Sequence, residues 1–204
     1  ERGYIVLASD APLFGDNKVL DNFTSIGNME EVFAQQLFTN GNSLLGVMVH
    51  DDITSLNLLM SLENVDKNNI GCIGHSMGGA RCMYLSALDE RVKATVISNS
   101  VANMKQKSGS GIKYTWLTVL PGITKFTETN GILALIAPRP LQVFYSENDP
   151  IYPIEEAEKQ ITPVKEIYSK LNSNSFVSIK IEDKAHAFPK QNREEAYLFL
   201  DKYL

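Results

Sequence analysis

One serine in this sequence has neighbours that would make it a nucleophile. Ser76 is the central residue of Gly74-His75-Ser76-Met77-Gly78. A short apolar run precedes this pentapeptide and apolar residues at helical spacing follow it, which predicts a strand, a sharp turn and a helix. At such a turn the serine backbone is strained, and Gly74 and Gly78 leave room where strand and helix nearly touch. The hydroxyl would project at the carboxyl end of the sheet; the other interpretation is a glycine-rich turn with a solvated serine.

A serine hydroxyl is a weak nucleophile at neutral pH and needs a base within hydrogen-bond reach. The sequence has three histidines, His50, His75 and His186. His50 falls inside a predicted helix and is interpreted as a packing or surface residue, and the side chain of His75 should point away from that of Ser76. His186 lies in a loop over residues 183–189, after the last predicted strand, and is the predicted base. The alternative is a solvent-exposed loop histidine.

The base in turn needs a carboxylate that fixes its tautomer and stabilises its cation. Asp149 follows a predicted strand that ends at the same sheet edge as the serine, so it is the leading candidate. Glu147 is its main rival and Asp183 is the next. Because Pro150 follows Asp149, the alternative interpretation is that this aspartate only forms a turn. Nucleophile, acid and base then follow one another along the chain as Ser76, Asp149 and His186.

The elements that must position these residues alternate along the chain. Helices are predicted around residues 28–38, 44–62, 155–171 and 192–204 and after the serine, with Pro163 as a kink or break. Strands are predicted at residues 4–8, 70–74, 92–97, 141–145 and 176–181. The segment 4–8 is a continuous apolar run, which predicts burial on both faces, and the loop 10–15 would lie at its ligand-binding end. This alternation predicts an α/β fold with a mostly parallel sheet and helices on both faces.

Residues 100–127 are the least regular part of the chain. Residues 107–111 have a flexible composition, and an apolar patch with Tyr114 and Trp116 follows them. Aromatic residues on a mobile loop near a catalytic face indicate a lid or a substrate wall. The alternative is a loop that packs these rings onto the body of the protein.

Composition limits the classes of function. A chain of 204 residues with a net charge of −5 and no basic cluster fits one domain that does not bind nucleic acid. No apolar run reaches the ~18 residues that cross a membrane, so no membrane partner is expected.

Cys72 and Cys82 are interpreted as buried reduced thiols. The scattered histidines fit no metal site, and no cofactor is expected. The compartment stays open, with the cytoplasm as the default and a removed secretory leader as the alternative.

With these residues in view, the chain resembles the α/β-hydrolase superfamily, and more narrowly the dienelactone-hydrolase-like and acetyl-xylan-esterase-like group. The resemblance runs nearly from end to end, on four segments in the right order: residues 3–10, 71–79, 134–140 and 147–153. It implies carboxylic-ester hydrolysis, with Ser76 as nucleophile, His186 as base and Asp149 as orienting acid. It also implies that the backbone amide of Met77 is one oxyanion donor.

The chain departs from the family pattern in one serious respect. In that fold residues 4–8 would be the fourth strand, so the first three strands and the loop with the second oxyanion donor would lie upstream of Glu1. The third strand would also be missing from the middle of the sheet, which leaves backbone groups unpaired. We therefore expect a longer native protein or a partner chain that supplies this part. The alternative is direct pairing of residues 4–8 with residues 70–74.

Two classes of function follow. The leading hypothesis is a serine hydrolase that cleaves a small acyl or acetyl ester through an acyl-enzyme on Ser76, with a peptidase of the same fold as a variant. The other hypothesis is a non-catalytic binding module of the same fold. The partner would be a small-molecule ester, and the oligomeric state is left open.

Overall fold

The fold is taken from a computed structural model that describes residues 2–18, 25–107 and 114–204. Its helices are α1 (Ile26–Thr39), α2 (Leu44–Ser61), α3 (Met77–Leu88), α4 (Met104–Lys107), α5 (Thr129–Ala134), α6 (Ile154–Lys170) and α7 (Lys190–Tyr203). Its strands are β1 (Ile70–His75), β2 (Val92–Ser98), β3 (Leu141–Ser146) and β4 (Phe176–Ile181). Short 3-10 helices are Gly15–Asn17, Trp116–Thr118 and Ile123–Lys125. None of these helices is both long and apolar enough to cross a membrane.

Contacts divide the chain into two compact units, and the first combines residues 1–67 with 114–121. Helices α1 and α2 begin at serine caps, where the Ser25 and Ser43 hydroxyls accept hydrogen bonds from backbone amides. The Glu30 carboxylate accepts hydrogen bonds from the Thr115 hydroxyl (2.8 Å) and the Trp116 amide (3.0 Å). These bonds hold the segment 114–121 on α1. The assignment of residues 100–127 as a lid or a substrate wall stays a prediction, and residues 108–113 lie outside the described part.

The second unit, residues 68–113 and 122–204, contains a parallel sheet in the order β1-β2-β3-β4. Helix α3 covers one face, where the Ser86 hydroxyl accepts a hydrogen bond from Thr95 (2.7 Å) and lies 3.1 Å from the Cys72 sulfur. Helix α7 covers the other face, where Ala196, Phe199 and Leu200 pack against a cluster of strand residues: Ala94, Val96, Phe144 and Ile181. The expected parallel sheet with helices on both faces is therefore confirmed.

Arg139 explains one of the segments on which the resemblance rests. Its guanidinium donates hydrogen bonds to the backbone oxygens of Ser86 (2.5 Å), Asp89 (3.1 Å) and Val92 (2.8 Å). The carbonyl of Arg139 accepts a hydrogen bond from the Tyr168 hydroxyl (2.6 Å). The side chain thereby satisfies carbonyls at the end of α3 and at the start of β2. This segment therefore has a structural role.

One prediction about local structure is wrong, and a second, that Pro163 kinks or breaks its helix, is wrong about the break. Residues 4–8 form no strand, and Val6 is 80% exposed. An apolar run becomes a strand only when a neighbour pairs with its backbone, and the described residues give it no such ladder. Hence residues 4–8 do not extend the sheet beyond β1, and the loop 10–15 does not follow a strand. Pro163 does not break its helix either, because α6 runs through it without interruption.

Candidate active site

Ser76 lies at the turn between β1 and α3, in a backbone conformation that side chains rarely adopt. Its φ is 56° and its ψ is −122°. Two contacts from the last residue of β2 and the segment just after it hold Ser76 there: its amide donates to the Ser98 carbonyl (2.8 Å), and its carbonyl accepts from the Ser100 hydroxyl (2.7 Å). A strained and tightly held serine at the end of a strand is the local geometry of a nucleophile elbow.

The glycines around Ser76 differ in how much space they have. A Cβ on Gly74 would lie 2.1 Å from the carbonyl oxygen of Gly78, so β1 and α3 approach each other through this glycine. A Cβ on Gly79 would lie 2.8 Å from the Cβ of Ser100. A Cβ on Gly78 would meet nothing within 4 Å, so the predicted crowding at Gly78 is wrong. The strand and the helix nearly touch at Gly74 and Gly79 instead.

His186 and Asp149 form a direct hydrogen bond. Nδ1 of His186 lies 2.8 Å from Oδ2 of Asp149, whose side chain is completely buried. The other oxygen, Oδ1, accepts hydrogen bonds from the backbone amides of Ile151 (2.8 Å) and Tyr152 (3.0 Å). The Tyr152 ring also stacks on the His186 ring, with centroids 5.7 Å apart. These contacts fix the orientation of the imidazole and leave its Nε2 atom as the free nitrogen.

The two rival carboxylates make other contacts. The Glu147 carboxylate pairs with Lys180 (3.2 Å) and accepts a hydrogen bond from the backbone amide of Asp183 (3.1 Å). These two bonds, that of Asp183 first, hold the pKa of Glu147 below its ordinary value. Asp183 itself has a φ of 50° in the turn after β4. Asp149 is therefore the carboxylate that contacts His186.

Ser76 and the His186–Asp149 pair belong to the same region of the sheet. No hydrogen bond joins the Ser76 hydroxyl to the His186 ring in the structure. The ring of His75, the residue before Ser76, lies with its centroid 4.8 Å from that of His186. Catalytic hydrogen bonds are often long without substrate and tighten when it binds. The catalytic roles of these three residues remain a prediction.

His75 is the residue of this cluster that sequence reasoning missed. Its Nδ1 atom lies 3.2 Å from the Ser98 hydroxyl, and its ring also stacks with that of Phe188. Burial lowers the pKa of His75, the nearby His186 lowers it further, and Asp149 opposes the shift. Alternation along a strand predicts only the direction of its side chain relative to that of Ser76, and it carries no information about the loop that returns beside His75. His50 lies on α2 with its side chain 80% exposed.

Met77 is the first residue of α3. Backbone amides in the first turn of a helix have no acceptor within the helix, and the helix dipole favours negative charge there. The Met77 amide is thus available to an anion beside Ser76, and its role as an oxyanion donor remains a prediction. No group of three or more His, Cys, Asp or Glu side chains within the described ranges is placed to hold a metal ion.

Comparison with known proteins places this geometry in a family. The model of the dienelactone hydrolase family matches residues 1–200. The chain belongs to this family. Its resemblance to dienelactone-hydrolase-like proteins, drawn from four segments of sequence, is therefore confirmed.

Relatives and solved structures agree with this assignment. A protein named as a hydrolase, YtaP of Bacillus subtilis (strain 168), is 29% identical over 205 residues, which are 99% of this chain and 66% of that protein. A Bacteroides fragilis structure described as an acetyl xylan esterase matches with a TM-score of 0.69 and 21% identity, over 84% of this chain and 45% of that one. The catalytic domain of a glucuronoyl esterase from Hypocrea jecorina matches with a TM-score of 0.65 and 18% identity, over 80% and 52%. These likenesses confirm the α/β-hydrolase fold. The chain spans about half the length of these two solved structures.

Proposed function

We propose that this chain carries the catalytic centre of a serine hydrolase that cleaves a carboxylic ester of a small acyl group, such as acetate. The observation that supports this most directly is the strained Ser76 at the β1–α3 turn, together with a His186 that is hydrogen-bonded to Asp149 and whose ring centroid lies 4.8 Å from that of His75, the residue before Ser76. Membership of the dienelactone hydrolase family supports the same reaction class. We assign Ser76 as nucleophile, His186 as general base and Asp149 as the residue that orients His186.

The reaction would proceed in two halves. Nε2 of His186 accepts the proton of the Ser76 hydroxyl as Oγ attacks the ester carbonyl carbon, and the same nitrogen then gives that proton to the departing alcohol. The bond to the alcohol oxygen breaks, and the acyl group stays on Oγ. A water molecule then gives a proton to His186 and attacks the acyl carbon. The bond between that carbon and Oγ breaks, His186 returns the proton to Oγ, and the acid is released with Ser76 restored. Throughout, Asp149 stabilises the positive charge on His186.

The negative charge on the carbonyl oxygen requires a donor. The backbone amide of Met77, at the amino end of the twelve-residue helix α3, is the donor we assign. Loss of one oxyanion donor costs about 10²–10³-fold in kcat in comparable sites.

The test is covalent labelling together with turnover. Wild-type protein should react with a fluorophosphonate probe at Ser76 and hydrolyse p-nitrophenyl acetate, whereas Ser76→Ala should do neither while it keeps its circular dichroism spectrum. Ser61→Ala is the matched control, because Ser61 lies at the exposed end of α2 and its hydroxyl donates a hydrogen bond to the Leu58 carbonyl of the same helix. Equal turnover by wild type and Ser76→Ala would contradict the proposal.

The same labelling separates the remaining alternatives. A folded wild-type protein that takes up no probe at Ser76 would favour a binding module. A labelled protein that cleaves peptide amides faster than esters would favour a peptidase. Because matched structures are described as acetyl xylan and glucuronoyl esterases, the ester panel should include a sugar acetate and a methyl glucuronate.

A further inference from the structure

Three polar residues at the carboxyl end of β2 are almost completely buried. Ser98, Asn99 and Ser100 are between 0% and 3% exposed. The first and third of them hold the backbone of Ser76, through the amide bond to the Ser98 carbonyl and the hydrogen bond from the Ser100 hydroxyl. Buried polar side chains are retained only when hydrogen bonds compensate their burial, so the contacts of the middle residue indicate what this segment does.

Asn99 connects the segment to the histidine loop. Its backbone amide donates to the Phe144 carbonyl of β3 (2.9 Å). Its side-chain Nδ2 atom donates to the Ser146 hydroxyl at the end of β3 (2.8 Å) and to the carbonyl of Ala187 (3.0 Å). Ala187 is the residue after His186. One side-chain amide thus joins the end of β2, which binds the backbone of Ser76, to the loop that carries His186.

Two features of Asn99 oppose folding. Its φ of 48° lies in the left-handed region, which residues other than glycine rarely adopt, although asparagine tolerates it best. Its Oδ1 atom is buried without a hydrogen-bond partner. Costs of this kind are found where the surrounding structure imposes a conformation for function.

We propose that Asn99 is a positioning residue that holds the loop of His186 at the correct distance from Ser76. This inference rests on the proposed function. The side chain acts on the loop backbone next to His186, so it complements Asp149, which acts on the imidazole ring. Without the bond to the Ala187 carbonyl, His186 would keep its carboxylate partner but lose its fixed distance from the nucleophile.

The test uses two substitutions that tolerate a positive φ. Asn99→Asp keeps the shape of the side chain but points an oxygen at the Ala187 carbonyl, which cannot donate. Asn99→Gly removes the side chain and relieves the backbone strain. Both should lower kcat about 10- to 100-fold with KM within about twofold, because displacement of a catalytic group by about 1 Å costs rate and leaves substrate binding intact. Labelling of Ser76 by the fluorophosphonate should slow to the same extent.

Matched controls come from Asn172, which also has a positive φ (53°) but lies exposed after α6. Asn172→Asp and Asn172→Gly should leave kcat unchanged. Hydrogen exchange supplies a readout that does not depend on activity: amides of residues 183–189 should exchange faster in both Asn99 variants, while those of β4 stay protected.

The outcomes separate this inference from the proposed function. Folded Asn99 variants with wild-type kcat, or with unchanged exchange over residues 183–189, would overturn the inference. Failure of even Asn99→Gly to fold would assign Asn99 a purely structural role and overturn it as well. If the wild type takes up no probe, the proposed function fails, and the exchange comparison still decides whether Asn99 holds the loop.

Discussion

Gly74 and Gly78 occupy equivalent places in the serine motif, but the structure predicts opposite consequences for adding a methyl group to each. A Cβ on Gly74 would lie 2.1 Å from the oxygen and 2.2 Å from the carbon of the Gly78 carbonyl. These are backbone atoms, which no change of side-chain rotamer can move. The start of α3 would have to shift by roughly 1 Å to accept the methyl group, because interiors are close-packed.

Two magnitudes follow from that shift. Overpacking against backbone should lower the free energy of unfolding of Gly74→Ala by about 3 kcal/mol. Displacement of Ser76 by a comparable distance should reduce kcat about 100-fold. Gly78→Ala is the matched control, because its methyl group meets nothing within 4 Å and its φ is not positive. It should change stability by at most about 1 kcal/mol, towards greater stability, since alanine favours a helix over glycine.

Urea denaturation followed by circular dichroism measures the first magnitude, and hydrolysis of p-nitrophenyl acetate with labelling of Ser76 measures the second. The stability comparison holds whether or not the protein is an esterase. Equal unfolding free energies for Gly74→Ala and Gly78→Ala would refute the packing argument. A less stable Gly78→Ala would refute it too.

Three further predictions concern Asp149, His75 and Arg139. Asp149→Asn should lower kcat about 10²–10⁴-fold in a steady-state assay, because His186 loses the partner that fixes its tautomer. As the pH falls below 6.5, the unfolded protein takes up a proton at His75 before the folded protein does, since the folded pKa is lowered. Urea titrations over that range should therefore show a larger loss of stability in wild type than in His75→Gln. Arg139→Met should lower the free energy of unfolding by about 2–3 kcal/mol without changing kcat, because the carbonyls of Ser86, Asp89 and Val92, among others, lose a charged donor.

Each of these has a control that the structure supplies. Glu147→Gln removes an exposed carboxylate that pairs with Lys180, so kcat should stay within about twofold, and a loss equal to that of Asp149→Asn would reverse their assignment. Parallel pH–stability curves for wild type and His75→Gln would contradict the argument about His75. Arg91→Met removes the ion pair between Asp89 and the partly exposed Arg91, and it should cost at most about 1 kcal/mol. A cost equal to that of Arg139→Met would contradict the role of the Arg139 guanidinium.

Much of the fold could be predicted because the relevant interactions are local. Helical spacing and short apolar runs placed β1, α6 and β4 within about a residue of their observed bounds. The segment 4–8 shows the limit of such reasoning. Its residues have the composition of a buried strand, but strand formation depends on a neighbouring backbone, which local pattern does not reveal.

By itself the sequence determined the elbow around Ser76, the alternation of strands and helices and the short set of candidate bases and acids. Only the tertiary structure decided that Asp149 rather than Glu147 meets His186, and that His75 and Asn99 lie against the same loop. The physical reason is the register of the parallel strands. That register brings Asp149 to His186 and Asn99 to Ala187, although these pairs are 37 and 88 residues apart in the sequence. Local propensity carries no information about contacts over such sequence separations.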